Sequence, residues 1–239
     1  MSLIYNATFD KNTRKLSFED RAGNEIYSFI VPEREKDDLT KPLTFRATQD
    51  GSSVTLKKKG SPTGSFQTST DGGNTWSDYT LDTAIALNTG DEVSFRAKAD
   101  RTSKQSADAY FQFVMTGKIE AWHNVMSLYR TNDFATYNAV VSFSFYKLFN
   151  GCTSLTKAPV LPVTTLAQYC YQYMFNGCST LNEVRCQMPS SYSSSSIGSN
   201  YAKDWLANVS STGTFYTNAD AHWPSGVSGI PTGWTRTNT

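Results

Sequence analysis

The sequence predicts a mainly β chain in three parts: an N-terminal β-meander arm, an antiparallel Ig-like β-sandwich, and a short repeat solenoid closed by a C-terminal cap. Three observations carry this. First, Leu148-Phe149-Asn150-Gly151-Cys152-Thr153-Ser154-Leu155-Thr156 returns 26 residues later as Met174-Phe175-Asn176-Gly177-Cys178-Ser179-Thr180-Leu181-Asn182. A repeat of this length is one supersecondary unit that cannot bury its own apolar face and is stable only when stacked on a neighbour. Second, the first half alternates apolar and polar residues in short runs separated by turn-forming clusters. Third, the chain is rich in Ser, Thr, Asn and aromatics, with 13 Tyr and 14 Phe, a composition that favours pleated, half-polar surfaces.

Residues 1–38 read as the arm. Leu3, Tyr5, Ala7 and Phe9 alternate with Ile4, Asn6 and Thr8, and a turn is expected at Asp10-Lys11-Asn12-Thr13. Leu16 and Phe18 alternate next, and Arg21-Ala22-Gly23-Asn24 turns the chain into Ile26–Val31. Pro32 and the charged stretch Glu33–Asp38 then end the third strand. Three short strands bury too little area to fold alone. They need the next domain, another copy of the chain, or a larger assembly.

Residues 39–116 read as the sandwich. Strands are expected at 43–48, 53–58, 65–69, 75–79, 84–87 and 92–98, with a further one over 109–115. The breaks carry turn chemistry: Gln49-Asp50-Gly51, Gly60-Ser61-Pro62, Asp71-Gly72-Gly73-Asn74 and Asn88-Thr89-Gly90-Asp91.

Residues 117–239 read as the repeats and cap. Residues 118–129 and 138–145 are entry units. Leu148, Phe149, Leu155, Leu166, Met174, Phe175 and Leu181 are the expected core. Ser190–Ser199 reads as a link to the cap, Asp204-Trp205-Leu206 as a short helix, and Gly213–Tyr216 as a strand. Trp223-Pro224 and Gly229–Trp234 read as an aromatic cover, because a stack of repeats needs an atypical end unit.

The same residues narrow the function. A net charge of +1 does not point to nucleic acid, and Lys57-Lys58-Lys59 beside Gly60 and Pro62 reads as a solvated turn. The longest apolar run is far short of a membrane span. The first ten residues lack a basic region followed by an apolar one, so either the protein is used without export or a signal has been trimmed. The four cysteines, Cys152, Cys170, Cys178 and Cys186, fall in the repeat half at spacings that match no zinc ribbon or finger. Cys152 and Cys178 share a repeat position, which suits stacked buried thiols, with disulfides or a metal as the alternatives. His123 and His222 stand about a hundred residues apart in no metal-binding spacing, and neither a Gly-x-Ser-x-Gly nor a phosphate-cradling Gly loop occurs. No catalytic residue, cofactor or metal is therefore assigned.

Two motifs remain. Ser69-Thr70-Asp71-Gly72-Gly73-Asn74-Thr75-Trp76 resembles the Asp-box of sialidases and other glycan-active proteins. In those families the box is a structural hairpin whose Asp ties the turn and whose Trp packs beneath it. The Tyr-rich run Tyr169-Cys170-Tyr171-Gln172-Tyr173 reads either as core on one face or as an exposed stacking platform for sugar or protein. Tyr169, Tyr171 and Tyr173 are the candidate partner-binding residues.

At the repeats the chain resembles the BspA-type leucine-rich repeat family. The residues that carry the resemblance are Phe149–Pro162 and Thr164–Tyr171, with the closing unit at Trp205-Leu206, Ser211–Phe215 and Trp223–Trp234. It covers roughly residues 40 to 239. It implies a BspA-like leucine-rich-repeat domain behind a sandwich, and two settings. One is a phage virion fibre or decoration protein that assembles as a homotrimer, docks to other virion proteins through residues 1–38, and projects the repeats toward a bacterial surface glycan or protein. The other is a secreted or cell-surface adhesin of Bacteroidetes. The first cysteine is Cys152, so the lipid-anchor cysteine of the surface group has no match near the start. A glycoside hydrolase is a distant third reading.

Overall fold

The computed structural model describes residues 4, 6–10, 15–30, 36–102 and 105–238. It is mainly β, with several sheets and no barrel, and divides into two compact units, 1–36 and 37–239.

The first unit is a three-stranded antiparallel sheet of β1 (Asn6–Asp10), β2 (Lys15–Glu19) and β3 (Glu25–Ile30) in that order. Alternation sets its register, with Leu16 opposite Phe29 and Phe18 opposite Tyr27. The β2–β3 turn is tied by Asp20, whose carboxylate accepts from the backbone N–H of Ala22 at 2.8 Å and Asn24 at 2.9 Å. Among the described side chains of this unit, Ser17 alone is buried, while Ile4 and Tyr27 are 61% and 62% exposed. The turn expected after Asp10 at residues 11–13, and the break at residues 32–35, lie outside the described residues.

The second unit begins at Asp37. Its strands are β4 (Leu43–Ala47), β5 (Ser52–Lys59), β6 (Phe66–Ser69), β7 (Ser77–Tyr79), β8 (Ile85–Leu87), β9 (Glu92–Ala97), β10 (Tyr110–Thr116), β11 (Ile119–Trp122), β12 (Leu155–Leu161), β13 (Glu183–Cys186), β14 (Gly213–Thr217) and β15 (Trp234–Asn238). Nine of them form one sheet in the order β15-β14-β13-β12-β11-β4-β9-β6-β7, and β10-β5-β8 form another. From β11 to β15 the pairing is parallel; from β11 to β7 it is antiparallel. Strand β11 is the joint, pairing antiparallel with β4 on one edge and parallel with β12 on the other. The boundary expected at 116/117 thus falls inside one unit and is bridged by a continuous sheet. Gly117, at φ +77°, makes the turn into β11; a Cβ there would stand 2.2 Å from Ser52 Oγ.

One aromatic column runs through this unit. Phe45, Phe95 and Phe113 meet edge to face at 4.7–5.6 Å. Phe113 stacks on Phe149 at 5.4 Å, Phe149 on Phe175 at 5.3 Å, and Phe175 meets Trp205 at 6.2 Å. Trp205 and Trp223 then close the column in parallel stacking at 5.0 Å. The seven residues expected as repeat core are all buried.

Opposite the parallel strands, each repeat runs as a ribbon of overlapping turns. The N–H groups of Ser144, Tyr146, Leu148, Asn150 and Cys152 donate three residues back within their own ribbon. Those of Phe143, Phe145, Lys147, Phe149 and Gly151 donate to carbonyls of the next ribbon, at Gln168, Cys170, Gln172, Met174 and Asn176. The pattern repeats from 169–178 onto 200–207. Alternate amides therefore close the turn and join the stack, which satisfies the backbone without a helix or strand.

The cap differs from expectation. Asp204-Trp205-Leu206 is not a helix but the third ribbon, since Asp204 sits at φ +51°. The short helical turns lie instead at Ser194–Ser196 and Ile197–Tyr201, inside the serine-rich stretch read as a link, where Ser193 Oγ caps the Ser196 N–H at 3.3 Å. The aromatic cover includes a strand not foreseen, β15, which extends the sheet from β14.

Candidate functional site

The outward edge of the turn ribbons gathers an aromatic patch. Every fourth ribbon residue has positive φ: Phe143, Lys147 and Gly151 in the first ribbon, Tyr169, Tyr173 and Gly177 in the second, Asp204 and Asn208 in the third. Phe143, Lys147, Gly151, Tyr169, Tyr173 and Gly177 each stand third in a hydrogen-bonded four-residue turn, and their positive φ makes those turns type II-like, the class that favours Gly or Asn at this position. The column of Gly151, Gly177 and Asn208 uses those residue types. The other two columns hold Phe143 and Tyr169, and Lys147, Tyr173 and Asp204, although a side chain in the left-handed region costs about 1–2 kcal/mol each. Such strain persists where the surroundings over-determine it, and it concentrates at functional sites.

The side chains so placed touch one another. Phe143 meets Tyr169 at 4.8 Å and Tyr146 at 5.4 Å; Tyr146 meets Tyr173 at 6.1 Å and Tyr110, from β10, at 5.2 Å. The Nζ of Lys147 lies 5.5, 5.2 and 5.7 Å from the ring centres of Tyr110, Tyr146 and Tyr173. Tyr110, Phe143, Lys147, Tyr169 and Tyr173 are half-buried, so their flanks reach solvent.

Of the three tyrosines singled out by sequence, Tyr169 and Tyr173 belong to this patch. Tyr171 does not. It is wholly buried, stacked on Phe145 at 6.0 Å, and its hydroxyl has no hydrogen-bond partner. The reason is the ribbon's alternation: 169 and 173 take the left-handed positions that turn outward, and 171 lies between them. Burial pushes the Tyr171 phenol well above its ordinary pKa. Phe143 and Lys147 were missed, although they precede Tyr169 and Tyr173 by one repeat length.

The cysteines are structural. All four are free and buried. Cys152 Sγ donates to the Phe113 carbonyl at 3.1 Å, and Cys178 Sγ to the Phe149 carbonyl at 3.0 Å, each reaching back to the preceding layer. Burial pushes the Cys170 and Cys178 thiols up to about 12 and raises Cys152 and Cys186 as well. Among the described residues no three His, Cys, Asp or Glu side chains come together to hold a metal.

The sheet face carries a different cluster. Lys157 Nζ lies 2.8 Å from Asp37 and 3.4 Å from the Trp122 ring centre, while Arg185 bridges Asp37 and Glu183 at 3.3 Å each. Burial holds the Lys157 ammonium below its ordinary pKa, against the pull of Asp37. Asp37 also accepts from the His123 N–H at 2.9 Å, and His123 Nδ1 accepts from the Asp38 N–H at 3.1 Å. These groups satisfy one another and clasp the first residues of the unit to its sheet. Both Asp37 and Asp38, expected at the end of the arm, belong here.

The hairpin whose sequence resembles an Asp-box is likewise self-contained. Asp71 accepts from Ser69 Oγ and Thr75 Oγ1 at 2.6 Å and from the Thr75 N–H at 2.9 Å, and Trp76 lies under the Arg96 guanidinium at 4.1 Å. These bonds hold Asp71 well below the usual carboxylate range. His222 is an exposed cap residue.

No family model matches the chain, and no curated protein or solved structure matches it significantly. No helix of the described residues is long and apolar enough to cross a membrane.

Proposed function

We propose that the protein is a non-enzymatic display protein: a phage virion fibre or decoration subunit, a homotrimer that assembles on its particle through the arm of residues 1–36, carries a short BspA-like leucine-rich-repeat head on an Ig-like sandwich and binds a bacterial surface. The observation that carries this reading is the aromatic patch built from strained ribbon positions. A chain that places Phe143, Lys147, Tyr169 and Tyr173 where Gly or Asn would be less strained keeps them for what they touch outside.

The arm supports the assembly half of the reading. A sheet whose described side chains leave Ser17 as the single buried one, with Ile26 and Tyr27 outward on β3, lacks the burial an isolated sheet needs. Pairing with further copies or with other virion proteins supplies that burial. Several heads on one particle then turn weak single contacts into avidity, by about 10²–10⁴ over one head. A Bacteroidetes cell-surface adhesin would use the same patch, with the arm facing its own envelope; in that setting antibody to the arm labels the producing cell rather than a virion.

Binding of fluorescently labelled full-length protein to bacterial cells tests this. Cell staining that falls sharply in a Tyr169→Ala/Tyr173→Ala variant supports the patch as the binding surface. Equal staining by the variant, or release of product from any glycoside substrate by the wild type, contradicts the reading.

A further inference from the structure

The patch holds a cation with no counter-ion. Arg46, Lys98, Arg130, Lys157 and Arg185 each have a carboxylate within 3.3 Å. Among the described residues Lys147, like Lys118 and Lys203, has none, and it differs from them in that its ammonium is met by the rings of Tyr110, Tyr146 and Tyr173. Ring faces attract a cation by only about 0.5–2 kcal/mol and leave its charge unneutralised. All three of its hydrogen-bond donors remain available to an anion.

The surroundings of Lys147 are apolar in body and hydroxylic at the tips. Three tyrosines, Tyr110, Tyr146 and Tyr173, surround the lysine, and Tyr169 extends the patch through Phe143. Among the described residues, the one protein hydrogen bond to the hydroxyls of these four tyrosines is a weak one to Tyr169 from Gln168 Nε2 at 3.4 Å. The rings repeat along the stack, Phe143 to Tyr169 at 4.8 Å and Tyr146 to Tyr173 at 6.1 Å, so apolar contacts recur on the scale of one pyranose unit. The platform stops at the third ribbon, where Asp204 takes the position of Lys147 and Tyr173 and sets a negative charge at its end.

We infer that the patch binds a carboxylate-bearing polysaccharide, with sugar rings resting on Tyr169 and Tyr173, backed by the buried ring of Tyr146, and a uronate-type carboxylate on Lys147 Nζ. The inference rests on the reading of the patch as the binding surface and adds the class of ligand. Hydroxyls on the tyrosine tips suit a hydroxyl-rich ligand, and the repeat of rings suits a repeating polymer. The unpaired lysine selects an acidic one. An acidic peptide would also meet the lysine, but the patch offers it no sheet edge, because every second ribbon amide closes a turn and the others join the next layer.

Affinity electrophoresis of the full-length protein in native gels tests this, at near-physiological salt so that loose charge attraction is screened. The gels contain polygalacturonate, alginate or chondroitin as acidic polymers, and methyl-esterified polygalacturonate or dextran as neutral ones. The expected result is retardation by at least one acidic polymer. Binding should weaken about tenfold or more in Lys147→Gln and in Tyr173→Ala, and change little in Lys203→Gln, which removes an exposed charge near the patch. Tyr173→Phe keeps the ring and separates loss of contact from loss of fold; it should retain most of the binding. No retardation by any acidic polymer overturns the inference, and so does equal retardation by dextran with Lys147→Gln unaffected. If cell staining still falls in the Tyr169→Ala/Tyr173→Ala variant in either case, the patch stands and only the acidic-sugar assignment fails.

Discussion

The ring of Phe149 lies parallel to that of Phe175, 5.3 Å from it with 3° between the planes. The two residues occupy the same place in consecutive repeats, and their stacking continues the column that begins at Phe113 in β10. Removal of either ring opens a cavity that the surrounding backbone, fixed by ladders on both sides, cannot collapse into. Phe175→Ala should therefore cost about 3–5 kcal/mol in a chemical denaturation series. A loss under about 1 kcal/mol contradicts the assignment of the column as the core.

The Tyr171 hydroxyl is buried without a partner, a state that costs about 1–3 kcal/mol. Tyr171→Phe removes the orphaned group and leaves the stacking on Phe145 intact. The variant should be more stable than wild type by about 1 kcal/mol, read as a raised denaturation midpoint. A destabilised variant shows that the hydroxyl has a partner after all.

The four thiols are buried, and burial keeps Cys170 and Cys178 protonated up to about pH 12. The thiolate is the reactive form. At pH 8 the native protein should consume no thiol reagent on a timescale of minutes, and the denatured protein should consume four equivalents. Rapid reaction of the folded chain points to an open ribbon or to a thiol with a role beyond packing.

In the arm, Glu25 is held down to about 2 by hydrogen bonds from Lys15 and Ser28, against an ordinary value of 4.5. A carboxyl with a depressed folded-state pKa adds stability that is complete above its unfolded value and is lost as pH falls through the folded one. The β2–β3 pairing should weaken progressively from about pH 4.5 to about pH 2, read by amide exchange at residues 15–19 and 25–28. Glu25→Gln should remove that pH window. If the variant titrates like wild type, another group drives the change.

Much of the β architecture was legible because its signals are local. Alternation with Gly- and Asn-bearing turns placed β4, β5, β6, β8, β9 and β10 within one or two residues of their ends, and the Phe149/Phe175 repeat marked the column. What was missed depends on how ribbons stack. A left-handed residue every fourth position is invisible to propensity when Phe, Lys and Tyr occupy it, so Tyr171 looked equivalent to Tyr169 and Tyr173. Asp204 carries the same signature, and its positive φ turned an apparent helix start into a third ribbon. The clasp of Asp37 on Lys157 joins residues 120 positions apart and has no local trace. Phe143 and Lys147 could have been found by sliding the repeat back to its first copy, where they align with Tyr169 and Tyr173.

An assembly arm that multiplies a weak binding head must show itself in the mass of the protein in solution. Light scattering on the full-length chain, beside a version lacking residues 1–36, should give a trimer that falls to monomer on truncation, with the second unit keeping its fold on its own core. A full-length chain that is monomeric at every concentration, with or without the arm, contradicts self-assembly through the arm.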